Sequence, residues 1–227
     1  IVANQEGLAL ADKARLYALV SVGMADTAIA VWDRKYNTSI DLWRPVTAIR
    51  NADLDGNEMT EPDTEWEPLL EFSPPFPAYP SGHAAFGAVH ASIMALFFGT
   101  DNIAFTATTD EPIVANVTRT FNSFSEAARE NGVSRVYLGV HFRFDADASF
   151  SLGTTVGQYV YARLAQPLCP GDMDGDGEVN SLDMTVFTNE YFRGTETADL
   201  NDDGLVNYRD ITMYVDMYLN ECRSFRS

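Results

Sequence analysis

The sequence predicts an all-α protein in two parts: a helical bundle over residues 1–166 and a small helical unit over residues 169–222. Three observations carry this prediction. Residues 8–33, 81–98 and 145–164 are long apolar stretches of helical length. Glycine, proline and asparagine clusters fall between them rather than inside them. An acidic string, Asp172-x-Asp174-x-Asp176-Gly177, recurs 27 residues later as Asp199-x-Asn201-x-Asp203-Gly204, each copy running into an apolar helix. A chain of 227 residues that is 46% apolar, with fourteen phenylalanines and ten tyrosines, can bury one medium core and one small one.

The elements follow in order. In residues 8–33, Leu8, Leu10, Ala14, Leu16, Leu19, Val20, Met24, Ile29 and Val31 leave no wide polar face, so this helix is expected to be buried on most sides. Residues 51–80 read as loop, broken by Asp-Gly, Glu-Pro and several prolines. Asn51, Asp53, Asp55 and Gly56 hint at a cation loop there, but its twelfth position is Pro62, so the segment is read as a solvated turn. Residues 81–98 read as a helix ended by Gly99. Ile103–Thr109 is short, rich in threonine and read as extended or irregular. Ser123–Asn131 reads as an amphipathic helix stopped by Asn131-Gly132, after which a short turn carries Arg135 toward His141. Asp145–Leu164 is the last helix of the large part. Gln166-Pro167-Leu168-Cys169-Pro170 is a stiff junction.

Three strings in the large part suit one tetrahedral oxyanion. They are Pro80-Ser81-Gly82-His83; Ser134-Arg135 with His141 and Asp145 downstream; and Arg44-Pro45 with Lys35 upstream. Arginine forks match the edges of phosphate-like oxygens, and lysine adds a point charge. Glycine lets a backbone N–H approach a ligand with no Cβ in the way. Only three histidines exist in the chain, and two lie inside these strings. The third, His90, two helical turns after His83, reads as a packed or interface histidine.

These strings resemble the superfamily of vanadium-dependent haloperoxidases and type 2 phosphatidic acid phosphatases. That pattern is lysine, six residues, Arg-Pro; Pro-Ser-Gly-His; and Ser-Arg, five residues, His, three residues, Asp. The second and third strings match without a gap. The first departs: eight residues, Tyr36 to Trp43, separate Lys35 from Arg44, and the insertion is expected to bulge at residues 37–41. Trp32-Asp33-Arg34-Lys35, Phe142-Arg143-Phe144-Asp145 and the proline-rich Pro74–Tyr79 resemble the haloperoxidase branch. The resemblance implies vanadate on His141, oriented by Asp145, with Lys35, Arg44, Ser81, Gly82 and Arg135 around its oxygens and His83 as acid/base. It implies a halide pocket at Trp32 and Phe76; phenylalanine at position 76 matches the family's chloroperoxidases. Hydrogen peroxide and halide would be the substrates. A phosphate ester is the alternative, with His141 as nucleophile and His83 protonating the leaving alcohol.

The formal charge is −18, with 15 basic and 33 acidic residues, which disfavours nucleic acid and anionic membrane surfaces. No run is expected to be long and apolar enough to span a bilayer, and no signal peptide is read. The chain starts at Ile1 rather than Met and reads as the C-terminal part of something longer; the enzymes it resembles carry another helical half before the lysine.

From Cys169 onward the chain has thirteen acidic and four basic residues. Asp172, Asp174, Asp176, Glu178 (through its carbonyl) and Asp183 sit at the ligand positions of a calcium loop. Asp199, Asn201, Asp203, Leu205 (carbonyl) and Asp210 repeat them, so two calcium ions are expected. Asp at position 12 and Asn180 or Asn207 at position 9 make the pair resemble a type I dockerin domain. That resemblance implies a cohesin-like partner and a disulfide between Cys169 and Cys222. Disulfide and calcium together imply a secreted, periplasmic or cell-surface location. A third reading is a non-catalytic module whose only active part is this calcium-binding end.

Overall fold

The computed structural model describes residues 1–70, 72–109, 116–164, 169–175 and 178–220. Two compact units result, Ile1–Ala165 and Gln166–Ser227. The protein is mostly helical, as the sequence predicts.

In the first unit a short α1 (Val2–Gln5) precedes α2 (Leu10–Tyr36), α3 (Pro45–Arg50), α4 (Gly82–Phe98), α5 (Phe124–Tyr137) and α6 (Arg143–Arg163). Among the described residues the departure from all-α is a two-stranded antiparallel ladder, β1 (Phe105–Thr108) with β2 (Thr118–Phe121), in the register Phe105 opposite Phe121. Helix α4 is the hub and packs against α2, α5 and α6. Leu16, Leu19, Val89, Ile93, Met94, Phe124 and Val160 form the buried core.

Glycines set how closely these helices approach. A Cβ on Gly153 of α6 would lie 2.2 Å from the Ala85 carbonyl oxygen of α4, and one on Gly157 would lie 2.9 Å from Ser92 Cβ. The two helices therefore cross nearly backbone to backbone. Gly132 plays the same part between α5 and α4, facing Ala84 Cβ at 3.2 Å. This corrects the expected helix stop at Asn131-Gly132: α5 runs through Gly132, because the glycine provides close approach rather than a break, and Arg135 lies in its last turn. The expected stop at Gly99 holds, with φ +67.

Helix α2 gives two corrections. Its buried residues, Leu16, Leu19, Gly23, Thr27, Val31 and Lys35, recur at steps of three and four and form a single stripe. Val22, Met24, Ile29, Trp32 and Tyr36 on its other faces are exposed, so it is not buried on most sides. Its apolar residues lie all around the axis, so periodicity could not say which stripe faces the core. By length and composition it also meets the criterion for crossing a membrane, with a mean hydropathy of 1.4, contrary to the expectation that no run does. Core helices of soluble proteins and signal sequences share these properties, and here the buried stripe packs on α4 and α6.

The second unit contains α7 (Ser181–Arg193) and α8 (Tyr208–Leu219) around Phe187, Ala198 and Tyr214. The Phe187 and Tyr214 rings stack at 4.3 Å. The sequence repeat is a structural repeat. Asp183 accepts N–H bonds from Met173 (2.7 Å), Asp174 (3.1 Å) and Asn180 (2.8 Å). Asp210 accepts them from Leu200 (3.0 Å), Asn201 (3.4 Å) and Asn207 (2.8 Å). Each aspartate is fully buried, closes its loop and, from the third position of its own helix, completes a capping box with the N-cap Asn180 or Asn207.

Candidate functional site: an oxyanion cage at the start of α4

The predicted residues of the large part converge where α4 begins. Ser81 is the N-cap of α4, fully buried, and its side chain makes no cap bond. Its backbone N–H donates to Ser149 Oγ at 2.6 Å, tying the loop to α6. The first-turn N–H groups of α4 give this point a positive end. Trp32 packs over Gly82, its ring carbons 3.5 Å from where a Cβ would stand.

Arg44 stands just before α3 and is 6% exposed. Its Nε donates to the Phe76 carbonyl (2.8 Å), and its Nη1 donates to the Val140 carbonyl (2.7 Å) and to His141 Nε2 (3.1 Å). Guanidinium only donates, so His141 Nε2 accepts and carries a lone pair. The proton sits on Nδ1, which donates to Asp145 Oδ2 at 3.0 Å. Asp145 also accepts the Phe142 N–H at 3.3 Å. His141 is 5% exposed and Asp145 0%. The arrangement presents a metal-binding or nucleophilic nitrogen inward and fixes the ring from behind.

Burial pushes the His141 pKa down, with Arg44 and Lys35 adding to the effect, against the hydrogen bond and charge of Asp145. His83, exposed at its edge, is pushed down to about 4 by burial and by Arg135 and His141. Arg44 is lowered to about 10, chiefly by burial. Burial also lowers Arg135. Arg44 and Arg135, depressed chiefly by burial, would be stabilised by a negative partner.

The unpartnered atoms locate that partner. Arg44 Nη2, Arg135 Nε and Ser81 Oγ are buried with no hydrogen-bond partner, as is the acceptor Asp145 Oδ1 behind His141. Buried donors without partners are costly, and three in one neighbourhood fit a tetrahedral oxyanion. Lys35 differs. It is 2% exposed, and its Nζ donates to the carbonyls of Pro77 (2.7 Å), Ala78 (3.2 Å) and Pro80 (2.6 Å). Its pKa is lowered to about 7, mainly by burial and then by Arg44, with Asp145 opposing.

Trp32 and Phe76, predicted as a pair, come together with ring centroids 5.7 Å apart. Phe76 also lies under Arg44 at 4.9 Å and Lys35 at 5.1 Å. His90 lines an apolar cavity of about 690 Å³ with Leu16, Met94 and Phe124, away from the cage residues. Sequence reasoning missed Ser149 and Asn131. Ser149 follows Asp145 by one helical turn, a signal that could have found it. Asn131 Nδ2 donates to the His83 carbonyl at 2.6 Å across α4 and α5, and nothing local announces it.

In the second unit, Asp172, Asp174 and Asp183 offer carboxylate oxygens within 4.8 Å of one another. In the second loop, Asp199 accepts from Asp203 N (3.2 Å) and Gly204 N (2.7 Å), and Asn201 accepts from Asp203 N (3.0 Å). Asp203 accepts from Leu205 N at 3.0 Å. Burial raises the Asp183 pKa, but the N–H bonds from Asn180, Asp174 and Met173 outweigh it, so the carboxyl lies below its ordinary value. Glu178 is among the described residues; Asp176, Gly177 and Cys222 lie outside them.

Known proteins resemble this chain over both units. The family model of the VCPO second helical-bundle domain matches residues 15–169, and the dockerin type I domain matches residues 170–220. A vanadium chloroperoxidase from Curvularia inaequalis is 33% identical over 182 residues, covering 61% of this chain and 29% of that protein. A bacterial vanadium-dependent iodoperoxidase structure has a TM-score of 0.62 and 34% identity, covering 72% of this chain and 37% of its own. A holo-type bacterial vanadium-dependent chloroperoxidase, 23% identical with a TM-score of 0.52, shares the fold over 63% of this chain and 34% of its own. The chain thus spans about a third of the proteins it matches. The matched residues place the chain in the family of the VCPO second helical-bundle domain, followed by a dockerin type I domain.

Proposed function

We propose that the helical unit is the vanadate-binding half of a haloperoxidase that oxidises halide with hydrogen peroxide to hypohalous acid, in the manner of a chloroperoxidase. One observation carries the proposal: the unpartnered Arg44 Nη2, Arg135 Nε and Ser81 Oγ beside an unprotonated His141 Nε2. His141 Nε2 would hold the metal once its lone pair is released from Arg44 Nη1, with Asp145 keeping the proton on Nδ1. Arg44, Arg135, Ser81 Oγ and the Gly82 N–H would donate to the oxyanion's oxygens. Bound vanadate supplies a Lewis acid that lets halide attack peroxide oxygen without change of metal oxidation state. His83, neutral at neutral pH, would take up and return the proton that the peroxide chemistry moves. Trp32 and Phe76 would form the apolar edge met by halide.

The second unit would bind two calcium ions. One would lie among Asp172, Asp174, Asp176, the Glu178 carbonyl and Asp183, and the other among Asp199, Asn201, Asp203, the Leu205 carbonyl and Asp210. The convergence of Asp172, Asp174 and Asp183 supports the first. Cys169 would pair with Cys222, as the dockerin resemblance implies. A cohesin-like partner and a secreted or cell-surface setting complete the proposal.

The test loads the chain with vanadate, then assays peroxide-dependent oxidation of chloride, bromide and iodide beside hydrolysis of an aryl phosphate. Halide oxidation that vanishes in His141→Ala supports the proposal. Hydrolysis by vanadate-free protein with no halide oxidation selects the phosphatase reading. Neither activity, with calcium binding intact, selects a non-catalytic module.

A further inference from the structure

We infer that Lys35 serves the cage as the clasp of the Pro77–Pro80 turn and not as a ligand of the oxyanion. The inference rests on the oxyanion reading of the cage, and it moves Lys35 from the role its sequence position suggests. An ammonium group has three hydrogens and no acceptor. All three have partners here, the carbonyls of Pro77, Ala78 and Pro80 at 2.6–3.2 Å. Arg44, Arg135 and Ser81, by contrast, each keep a buried donor unused.

The turn that Lys35 holds runs directly into Ser81-Gly82-His83. It is tied elsewhere by the Ala78 N–H to the Leu42 carbonyl (2.9 Å) and by Arg44 Nε to the Phe76 carbonyl (2.8 Å). Carbonyls 77, 78 and 80 aim at one point, and without a donor there they would face one another, desolvated and unpaired. The ammonium also rests against the rings of Phe76 at 5.1 Å and Trp32 at 5.9 Å. The longer spacer between Lys35 and Arg44 leaves Lys35 in the last turn of α2 while Arg44 enters separately before α3.

The experiment compares wild type, Lys35→Met and Lys35→Gln. Glutamine is neutral, but its amide can donate two of the three bonds; methionine donates none. The first readout is hydrogen exchange of the Ala78 and Ser81 amides in anion-free protein. The second is the dissociation constant for inorganic phosphate by calorimetry. The clasp predicts that Lys35→Met exchanges these amides at least about tenfold faster, while Lys35→Gln stays near wild type. It also predicts that Lys35→Gln binds phosphate at least about tenfold more tightly than Lys35→Met. Unchanged Ala78 and Ser81 protection in Lys35→Met, with phosphate weakened equally in both variants, would overturn it in favour of a direct ligand. If wild type fails to bind phosphate, the oxyanion reading falls, and the exchange comparison still decides the clasp.

Discussion

Replacing Gly153 by alanine should damage both the fold and the cage, because the added methyl meets backbone. Its carbon would stand 2.2 Å from the Ala85 oxygen and 3.0 Å from Ala88 Cβ, where real Cβ atoms essentially never come under 3.0 Å. Reaching 3.0 Å from 2.2 Å requires a 0.8 Å separation of α4 and α6 at this crossing. A gap of that size forfeits roughly a quarter to a half of the dispersion energy of the contacts it opens. The Ser81 N–H to Ser149 Oγ bond, 2.6 Å long and just one turn away along α6, stretches with it. Overpacking against backbone belongs at the upper end of its usual range, about 3 kcal/mol. Gly99→Ala is the control: its φ is +67 and nothing lies within 4 Å of an added Cβ. Only left-handed backbone strain remains there, about 1 kcal/mol. Trp32, Trp43 and Trp66 all lie in the helical unit, so tryptophan fluorescence during urea unfolding reports that unit alone. Gly153→Ala should lower the urea midpoint well below that of Gly99→Ala and abolish phosphate binding in calorimetry. Equal midpoints for the two variants, or phosphate binding intact in Gly153→Ala, would refute the backbone-contact reasoning.

Asp145→Asn should keep the fold but lose the preference for a proton on His141 Nδ1, weakening vanadate binding by roughly 10–100-fold; competition against phosphate measures it, and an unchanged constant contradicts the orientation argument. His83 should titrate near pH 4 rather than 6.5 in anion-free protein, since burial first, then the Arg135 charge and the neighbouring His141 ring, disfavour its charged form. Imidazole chemical shifts across pH 3–8 give the midpoint, and one at the ordinary histidine value would contradict the packing of Arg135 and His141 around it. Calcium removal should unfold the second unit and leave the first folded. The carboxylates of Asp172, Asp174, Asp183, Asp199, Asp203 and Asp210 repel one another without a cation, and binding is coupled to folding. Amide protection of residues 181–193 and 208–219 that survives a chelator would reject this.

Much of the cage was legible because its residues fall in short strings of fixed spacing. His141 and Asp145 are four apart, and Ser81-Gly82-His83 is contiguous at a helix start, so local geometry brings each set together. Lys35 shows where that logic stops. The sequence announces a cation, but its acceptors are main-chain carbonyls more than forty residues away, and carbonyls have no letter code. Gly132 failed for a related reason: a stop and a close approach use the same residue, and only Ala84 on another helix decides between them. In α2, alanine and apolar residues on every side hid which stripe is buried. The calcium-type loops were the reverse case, since Asp183 and Asp210 bond backbone within ten residues of themselves.

Diffraction from crystals of the chain soaked in orthovanadate tests the central claim most directly. One vanadium should be bonded to His141 Nε2 in place of the Arg44 Nη1 contact, with oxygens on Arg44 Nη2, Arg135, Ser81 Oγ and the Gly82 N–H. Vanadate bound elsewhere, or His141 turned away from Asp145 with the donors of Arg44 and Arg135 still unused, would contradict it.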